Sequence, residues 1–374
     1  MRTHTRGTAL IGAIAASALV LAGCSSGTST AADPTSSSQP AGPATITVAS
    51  LNQTQKDPND WTAGYDTTSV DVQVPVNPQR VVVLDSTVIE ALNGMGVPAT
   101  QVVGASKWGL EKIAPDYAVD SVTDVSSADG RGYDLEKIAA LNPDLIITGW
   151  RGTASAIPGL ADIDVTKIEL SPAEGHTVES LRTSTTTLGA IFDRPDQAAA
   201  LTGRLDKAVA DAQAATSAPG TGSGVVLLTT GGSLSGVSAT GARFGILYND
   251  FGLQVNPELE KVVVELANKV AEGAQHGWEL SSEAILAANP DWLVVIDRDA
   301  AIGQAEKPAA QILDNELIKQ TTAGSTGRIV YLDPVGMYTG EGIVSYTAAG
   351  EQIAREITTG GTATDTTAPT TDGQ

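Results

Sequence analysis

The sequence predicts an α/β protein of two Rossmann-like lobes, each with a central parallel-type sheet, joined by one long helix. Three observations carry this expectation. A helix–turn–strand segment occurs twice, at a constant offset of 147 residues. Both copies end in a continuous apolar run, the pattern of a strand buried on both faces of a parallel sheet. Between the halves, Pro195 to about Ala215 is rich in Ala, Leu, Asp and Lys. Proline suits a helix's first turn, and a helix of about 20 residues spans roughly 30 Å. That predicts one rigid rod between the lobes.

The chain opens on Met1-Arg2-Thr3-His4-Thr5-Arg6 and reaches Leu21-Ala22-Gly23-Cys24 through mostly apolar residues. Two arginines, an apolar run of roughly 15 residues and a small-residue cut site predict an export signal over 1–23. The run is too short to span a bilayer as a helix. Residues 24–44 are mostly Ser, Thr, Ala, Pro and Gly, which cannot bury a core and predict a disordered tether. The first α/β lobe is expected over 45–174. Within it, Arg80-Val81-Val82-Val83-Leu84-Asp85 reads as a strand, followed by a helix ending near Gly94. A helical connector over 175–217 holds the rod. The second lobe, 218–358, opens on the strand Val225-Val226-Leu227-Leu228-Thr229. Residues 359–374 repeat Thr, Gly, Asp and Pro and predict a disordered tail.

The repeated segments are Asp134 to Arg151 and Ser281 to Arg298. Glu136 matches Glu283, Asn142 matches Asn289, Pro143 matches Pro290 and Arg151 matches Arg298. Each copy opens on a residue suited to cap a helix, Asp134 or Ser281. A short amphipathic helix follows and ends at Asn-Pro. An arginine closes the strand in both copies. In open α/β sheets the carboxyl ends of strands face the ligand crevice, so both arginines are candidate binding residues.

Composition narrows the classes. With 374 residues the chain can hold two domains of ordinary size. Its formal charge of −21 repels nucleic acid and anionic lipid surfaces. Cys24 is the only cysteine, so no disulfide forms within the chain. Beyond the leader only His176 and His276 remain, which limits any imidazole-built metal site. Beyond the export signal and tether there is no Gly-x-Ser-x-Gly elbow, phosphate loop or His-Glu-x-x-His, the marks of the commonest hydrolases and nucleotide enzymes.

Two similar lobes, a helical rod and a cysteine after a small-residue cut site resemble the helix-hinged substrate-binding lipoproteins of ABC importers. Segments Val74 to Leu84, Asp297 to Ala301, Leu313 to Lys319 and Arg328 to Pro334 resemble the branch that binds ferric siderophores of catecholate or petrobactin type. The resemblance covers about residues 70–358. It implies no enzyme activity, a shallow ligand cleft between lobes, little domain closure and no tightly bound cofactor. It also implies a transported ferric siderophore, docking of a monomer onto ABC permease subunits, and no nucleic-acid partner. Leu21 to Cys24 resembles the bacterial lipobox, which implies cleavage before Cys24, acylation of its thiol and tethering to the extracytoplasmic face of the cell membrane.

The resemblance also assigns residues. Arg131, Arg151, Arg243 and Arg298 would grip the anionic chelate, a task for which the always-charged, five-donor guanidinium is suited. Solvated arginines, or pairing with Asp297 or Asp299, are the plainer alternatives. His276 and Tyr338 would complete the iron's ligands when the siderophore supplies too few oxygens; a surface histidine and a packing tyrosine are the alternative. Tyr338 is followed by Thr339-Gly340-Glu341-Gly342, less glycine-rich than the family's usual run, and Glu341 adds negative charge beside the cleft. Trp150 and Trp278 would offer flat walls to catechol rings or pack structurally; Trp108 has the same two readings. Glu136 and Glu283 would pair with permease arginines, although a helix's first turn favours an acid in any case.

Two other readings stay open on sequence, and a third is disfavoured by the two histidines. Haem or a corrinoid fits the same architecture, with His276 and Tyr338 as haem ligands. A free manganese or zinc ion would want more histidines and carboxylates. A surface lipoprotein acting only through protein contacts needs no small ligand.

Overall fold

The computed structural model describes residues 44–56, 65–128, 132–149, 157–170, 177–239, 243–269 and 278–361. Cys24, Arg131, Trp150, Arg151, His176 and His276 lie outside them, as do the export signal, all of the tether but Ala44, and the tail beyond Gly361. Among the described residues no helix is long and apolar enough to cross a membrane.

An antiparallel hairpin opens the structure: β1 (Thr45–Gln55) pairs with β2 (Tyr65–Pro75). Val48 and Val74 turn inward, and the Ser50 hydroxyl accepts the Glu169 N–H at 2.8 Å, tying the hairpin to the first lobe. The first-lobe sheet contains β3 (Val81–Val83), β4 (Val102–Ala105), β5 (Thr123–Asp124), β6 (Leu145–Thr148) and β7 (Lys167–Glu169). Its order is β5-β4-β3-β6-β7 and every pairing is parallel. The helices α1 (Ser86–Gly94), α2 (Leu110–Ile113) and α3 (Leu135–Ala140) connect these strands.

Two longer helices leave the lobe, α4 (Val178–Ile191) and α5 (Pro195–Thr216). On α5 the buried residues Ala198, Leu201, Leu205, Ala208, Ala212 and Ala215 step by three and four. That spacing draws one apolar stripe along the whole helix.

The second-lobe sheet contains β8 (Gly224–Thr230), β9 (Ser233–Val237), β10 (Trp278–Glu279), β11 (Trp292–Ile296) and β12 (Ile329–Leu332), in the order β10-β9-β8-β11-β12. The parallel expectation holds for β8, β11 and β12. It does not hold at the other edge, where β9 is antiparallel to β8 and β10 to β9. The physical reason is the two-residue turn Gly231-Gly232, with φ of 58° and 78°. Such a turn folds a strand straight back into a hairpin, whereas a parallel neighbour needs a crossover. Short and medium helices surround this sheet: α6 (Ile246–Asn249), α7 (Pro257–Lys269), α8 (Ser282–Ala288), α9 (Arg298–Ala301), α10 (Ala309–Leu313), α11 (Glu316–Lys319) and α12 (Thr322–Thr326). After β12 comes one π-helical turn, Gly336–Gly340, and then α13 (Ile343–Thr359).

The repeat has a structural meaning. α3 and α8 are capped by Asp134 and Ser281, as expected. Asn142 and Asn289 both adopt left-handed backbone, φ 44° and 43°, the conformation asparagine tolerates at a helix end. The aspartate after each Asn-Pro then ties down a neighbouring strand. Asp144 accepts the N–H of Gln79 and Arg80 ahead of β3, and Asp291 accepts that of Ser223 ahead of β8. β6 and β11, the strands that follow, are buried throughout.

The rod is broader than a single helix. α13 returns from the second lobe and packs along α5. A Cβ on Gly350 of α13 would come within 3.2 Å of the Ala208 Cβ and carbonyl oxygen, so the two backbones approach closely there. One continuous set of buried residues runs through both lobes and this helix pair, including Val81, Leu145, Leu205, Val226, Val294 and Tyr346. A spine of two packed helices within a shared core resists bending more than a lone rod.

Candidate functional site

A cavity of about 370 Å3 opens where β3 and β4 end, with Val83, Asp85, Ala105, Ser106, Trp108 and Tyr133 from the first lobe on its walls. Thr339 of the π-helical turn closes it from the second lobe. The lobes touch at this rim. Gly109 has φ 71°, and a Cβ there would lie 2.7 Å from the Thr339 methyl. A wider groove of about 860 Å3 lies beside Trp292, Arg328 and the ends of α5 and α13. Trp292 begins β11, so that groove sits at the amino ends of the strands. Ligands of α/β sheets bind at carboxyl ends, which favours the smaller cavity.

Asp85 forms part of its floor. Its carboxylate caps α1, accepting the N–H of Thr87 and Val88, so its charge is met by the helix amino terminus. Gly149, at the end of β6, must be glycine, because a Cβ there would meet the Asp85 carboxyl carbon at 2.8 Å. The Ser106 and Ser126 hydroxyls share a hydrogen bond of 3.0 Å on the same wall. Trp108 is 52 % exposed, so it is no core residue.

On the second lobe the structure gathers three of the residues singled out by sequence. Tyr338 lies in the π-helical turn beside Thr339, a type of helix irregularity frequent at functional sites. The Arg243 guanidinium stacks over its ring, 4.2 Å from the centroid, and also faces Phe244 at 4.8 Å. Arg298 donates from Nε to the Tyr338 hydroxyl at 2.9 Å. Tyr338 is therefore enclosed by two cations and is 5 % exposed.

Each arginine also meets an acid. Arg243 donates from Nε to Glu341 at 2.6 Å and from a terminal nitrogen to the Tyr338 carbonyl at 2.8 Å. Burial works against the Arg243 charge, but the Glu341 carboxylate and Tyr338 outweigh it and raise its pKa above the ordinary value. Arg298 pairs with Asp299 at 3.3 Å. Asp297, the other expected partner, is occupied elsewhere: it accepts from the Thr229 hydroxyl and from the N–H of Ala300 and Ala309. Arg298 does not end β11. It stands one residue beyond Asp297, which caps α9, and so begins that helix.

Glu136 and Glu283 are exposed, each in the first turn of its helix, α3 and α8. The backbone of Trp278 begins β10. Among the described residues no group of three or more His, Cys, Asp or Glu side chains is arranged to hold a metal ion.

Sequence reasoning missed Glu90. It is buried on α1 and reaches the amino terminus of α13, accepting from Gly342 and Ser345. A carboxylate among the apolar residues Val88, Ile89, Ala91 and Leu92 was the available signal. Its consequence is local glycine: a Cβ on Gly340 or Gly342 would fall 2.7 Å from the Glu90 carboxyl group.

Comparison with known proteins agrees with the fold. Residues 81–335 match the model of the family described as periplasmic binding protein. The petrobactin-binding protein YclQ of Bacillus subtilis is 30 % identical over 289 residues, 77 % of this chain and 84 % of that one. Its crystal structure superposes with a TM-score of 0.67, covering 84 % of this chain and 99 % of YclQ. The ferric-anguibactin-binding protein FatB of Vibrio anguillarum is 28 % identical over 264 residues, 70 % of this chain and 76 % of that one. A TroA-like periplasmic binding protein from Xylanimonas cellulosilytica matches with a TM-score of 0.71 and 27 % identity, over 84 % of this chain and all of that one. These relatives are binding proteins, not enzymes. The chain belongs to the periplasmic binding protein family.

Proposed function

We propose that this protein captures a ferric siderophore with catecholate groups outside the cell and delivers it to an ABC permease for iron uptake. The observation that carries the reading is the arrangement of Arg243 and Arg298 around Tyr338, beside a cavity whose other lobe presents Trp108. Charge-assisted hydrogen bonds from arginine suit a chelate whose negative oxygens surround one iron. The aromatic wall suits catechol rings. The names of two relatives, a petrobactin-binding and a ferric-anguibactin-binding protein, support the same cargo class.

In this reading Arg131 and Arg151 add donors to the cleft, Trp150 and Trp278 line it, and His276 with Tyr338 completes the iron's coordination when the siderophore leaves positions open. Cys24 carries the lipid that anchors the monomer to the membrane, and residues 24–44 act as its tether. Glu136 and Glu283 meet basic residues of the permease, one from each lobe.

Fluorescence quenching by a ferric catecholate tests the binding part. Arg243→Ala and Arg298→Ala should each weaken affinity by about tenfold or more, the scale of a lost charge-assisted hydrogen bond. Unchanged affinity in both variants would sink the assignment.

A further inference from the structure

We propose that Glu341 sets the charge of the chelate that the cleft accepts, favouring a monoanionic ferric complex over a trianionic one. This rests on the siderophore reading above and names a narrower substrate class within it. Glu341 is bonded to Arg243 at 2.6 Å, and its side chain is 1 % exposed while that of Arg243 is 23 % exposed. The arginine is thus partly exposed, whereas the carboxylate that holds it is sealed from solvent. Solvent and salt screen a buried charge poorly.

Glu341 is also held in a costly backbone. Its φ is 54°, in the left-handed region that glycine enters at least cost, and glycines flank it at 340 and 342. Phe244, next to Arg243, is left-handed too, at φ 62°. Glu341 therefore carries its carboxylate on backbone that a side chain disfavours, and the residue after its partner does the same.

The pair does two things for a ligand. It fixes the guanidinium, since Glu341 and the Tyr338 carbonyl engage two of its five donors and leave the others for a chelate. It also offsets the arginine's charge. Asp299 does the same for Arg298, so each described arginine of this wall arrives with a counter-charge. Coulomb repulsion from Glu341 grows in proportion to the charge of the chelate. A trianion feels three times the opposition that a monoanion feels.

The test compares two synthetic probes by fluorescence quenching: the trianionic ferric complex of a tris-catechol ligand and the monoanionic ferric complex of a tetradentate bis-catechol ligand. Wild-type protein should prefer the monoanion. Glu341→Gln keeps an acceptor for Arg243 but removes the charge, and should shift the affinity ratio toward the trianion by about tenfold. Glu258→Gln, on an exposed residue of α7, removes the same charge elsewhere and should leave the ratio unchanged. If Glu341→Gln does not fold by circular dichroism, Asp299→Asn should move the ratio in the same direction. Both probes binding with an unaltered ratio in the folded variant overturns the role of Glu341 alone. Failure of wild-type protein to bind either probe overturns the siderophore reading itself, and this inference with it.

Discussion

Glu90 caps Ser345 across the two lobes: its carboxylate on α1 accepts the Ser345 N–H and hydroxyl at the start of α13, and the Gly342 N–H at 3.1 Å. Gly342, the residue at the cap position, has no side chain to do this itself. A helix amino terminus leaves N–H groups that need acceptors, and here the acceptor comes from a helix about 250 residues earlier. One side chain thus joins the first lobe to the helix that completes the spine.

Stability should depend on pH through this residue. Burial pushes the Glu90 carboxyl up to about 7, although the hydrogen bonds from Ser345, Gly342 and Val344 pull it down. A carboxyl with a raised folded pKa binds more protons folded than unfolded. Its contribution is therefore full below its unfolded pKa and is lost as pH rises through about 7. Urea unfolding of wild type should show stability falling between about pH 5 and about pH 8, and Glu90→Gln should flatten that part of the profile. Equal slopes for the two proteins would count against the assignment. Glu90→Ala, which strands buried donors, should cost about 2–4 kcal/mol at pH 6.

The helix pair should be sensitive to volume in both directions. Leu205 is fully buried on α5, and Leu205→Ala should lower stability by about 2–5 kcal/mol. Gly350→Leu should drive α13 off Ala208 and cost a further about 1–3 kcal/mol in its own variant. Thermal unfolding would check both. If the spine also limits lobe closure, small-angle scattering of wild type with and without ferric catecholate should show nearly the same radius of gyration.

Docking should separate from capture. Charge reversal of Glu136 and Glu283 together should leave ferric siderophore affinity unchanged, because both are exposed on helix first turns. Siderophore-dependent iron uptake by cells carrying the variant should fall sharply. Full uptake would remove these residues from the permease interface.

Much of this fold was legible because its signals are local. The Asn-Pro breaks, the capping residues and the apolar runs each act within a few residues, and Pro195 marks the start of α5 where the structure begins it. The antiparallel edge is equally local, set by Gly231-Gly232, but the expectation of a parallel-type sheet rested on the apolar runs alone. The β1–β2 hairpin was harder. Thr, Gln, Asn and Ser dominate β1, and its register comes from the pairing with β2. The site divided in the same way. Arg243, Arg298 and Tyr338 were named from their segments, yet nothing in the chain order says that they stack together. Glu90 is the clearest limit, since its partners lie at the far end of the sequence and only packing brings them to it.

The cargo is decided by one titration. Purified protein is titrated with a ferric catecholate, a ferric hydroxamate and haem, each followed by tryptophan fluorescence. The arginines around Tyr338 and the exposed Trp108 predict binding below micromolar for the ferric catecholate alone. Tighter binding of haem or of the hydroxamate would contradict the account.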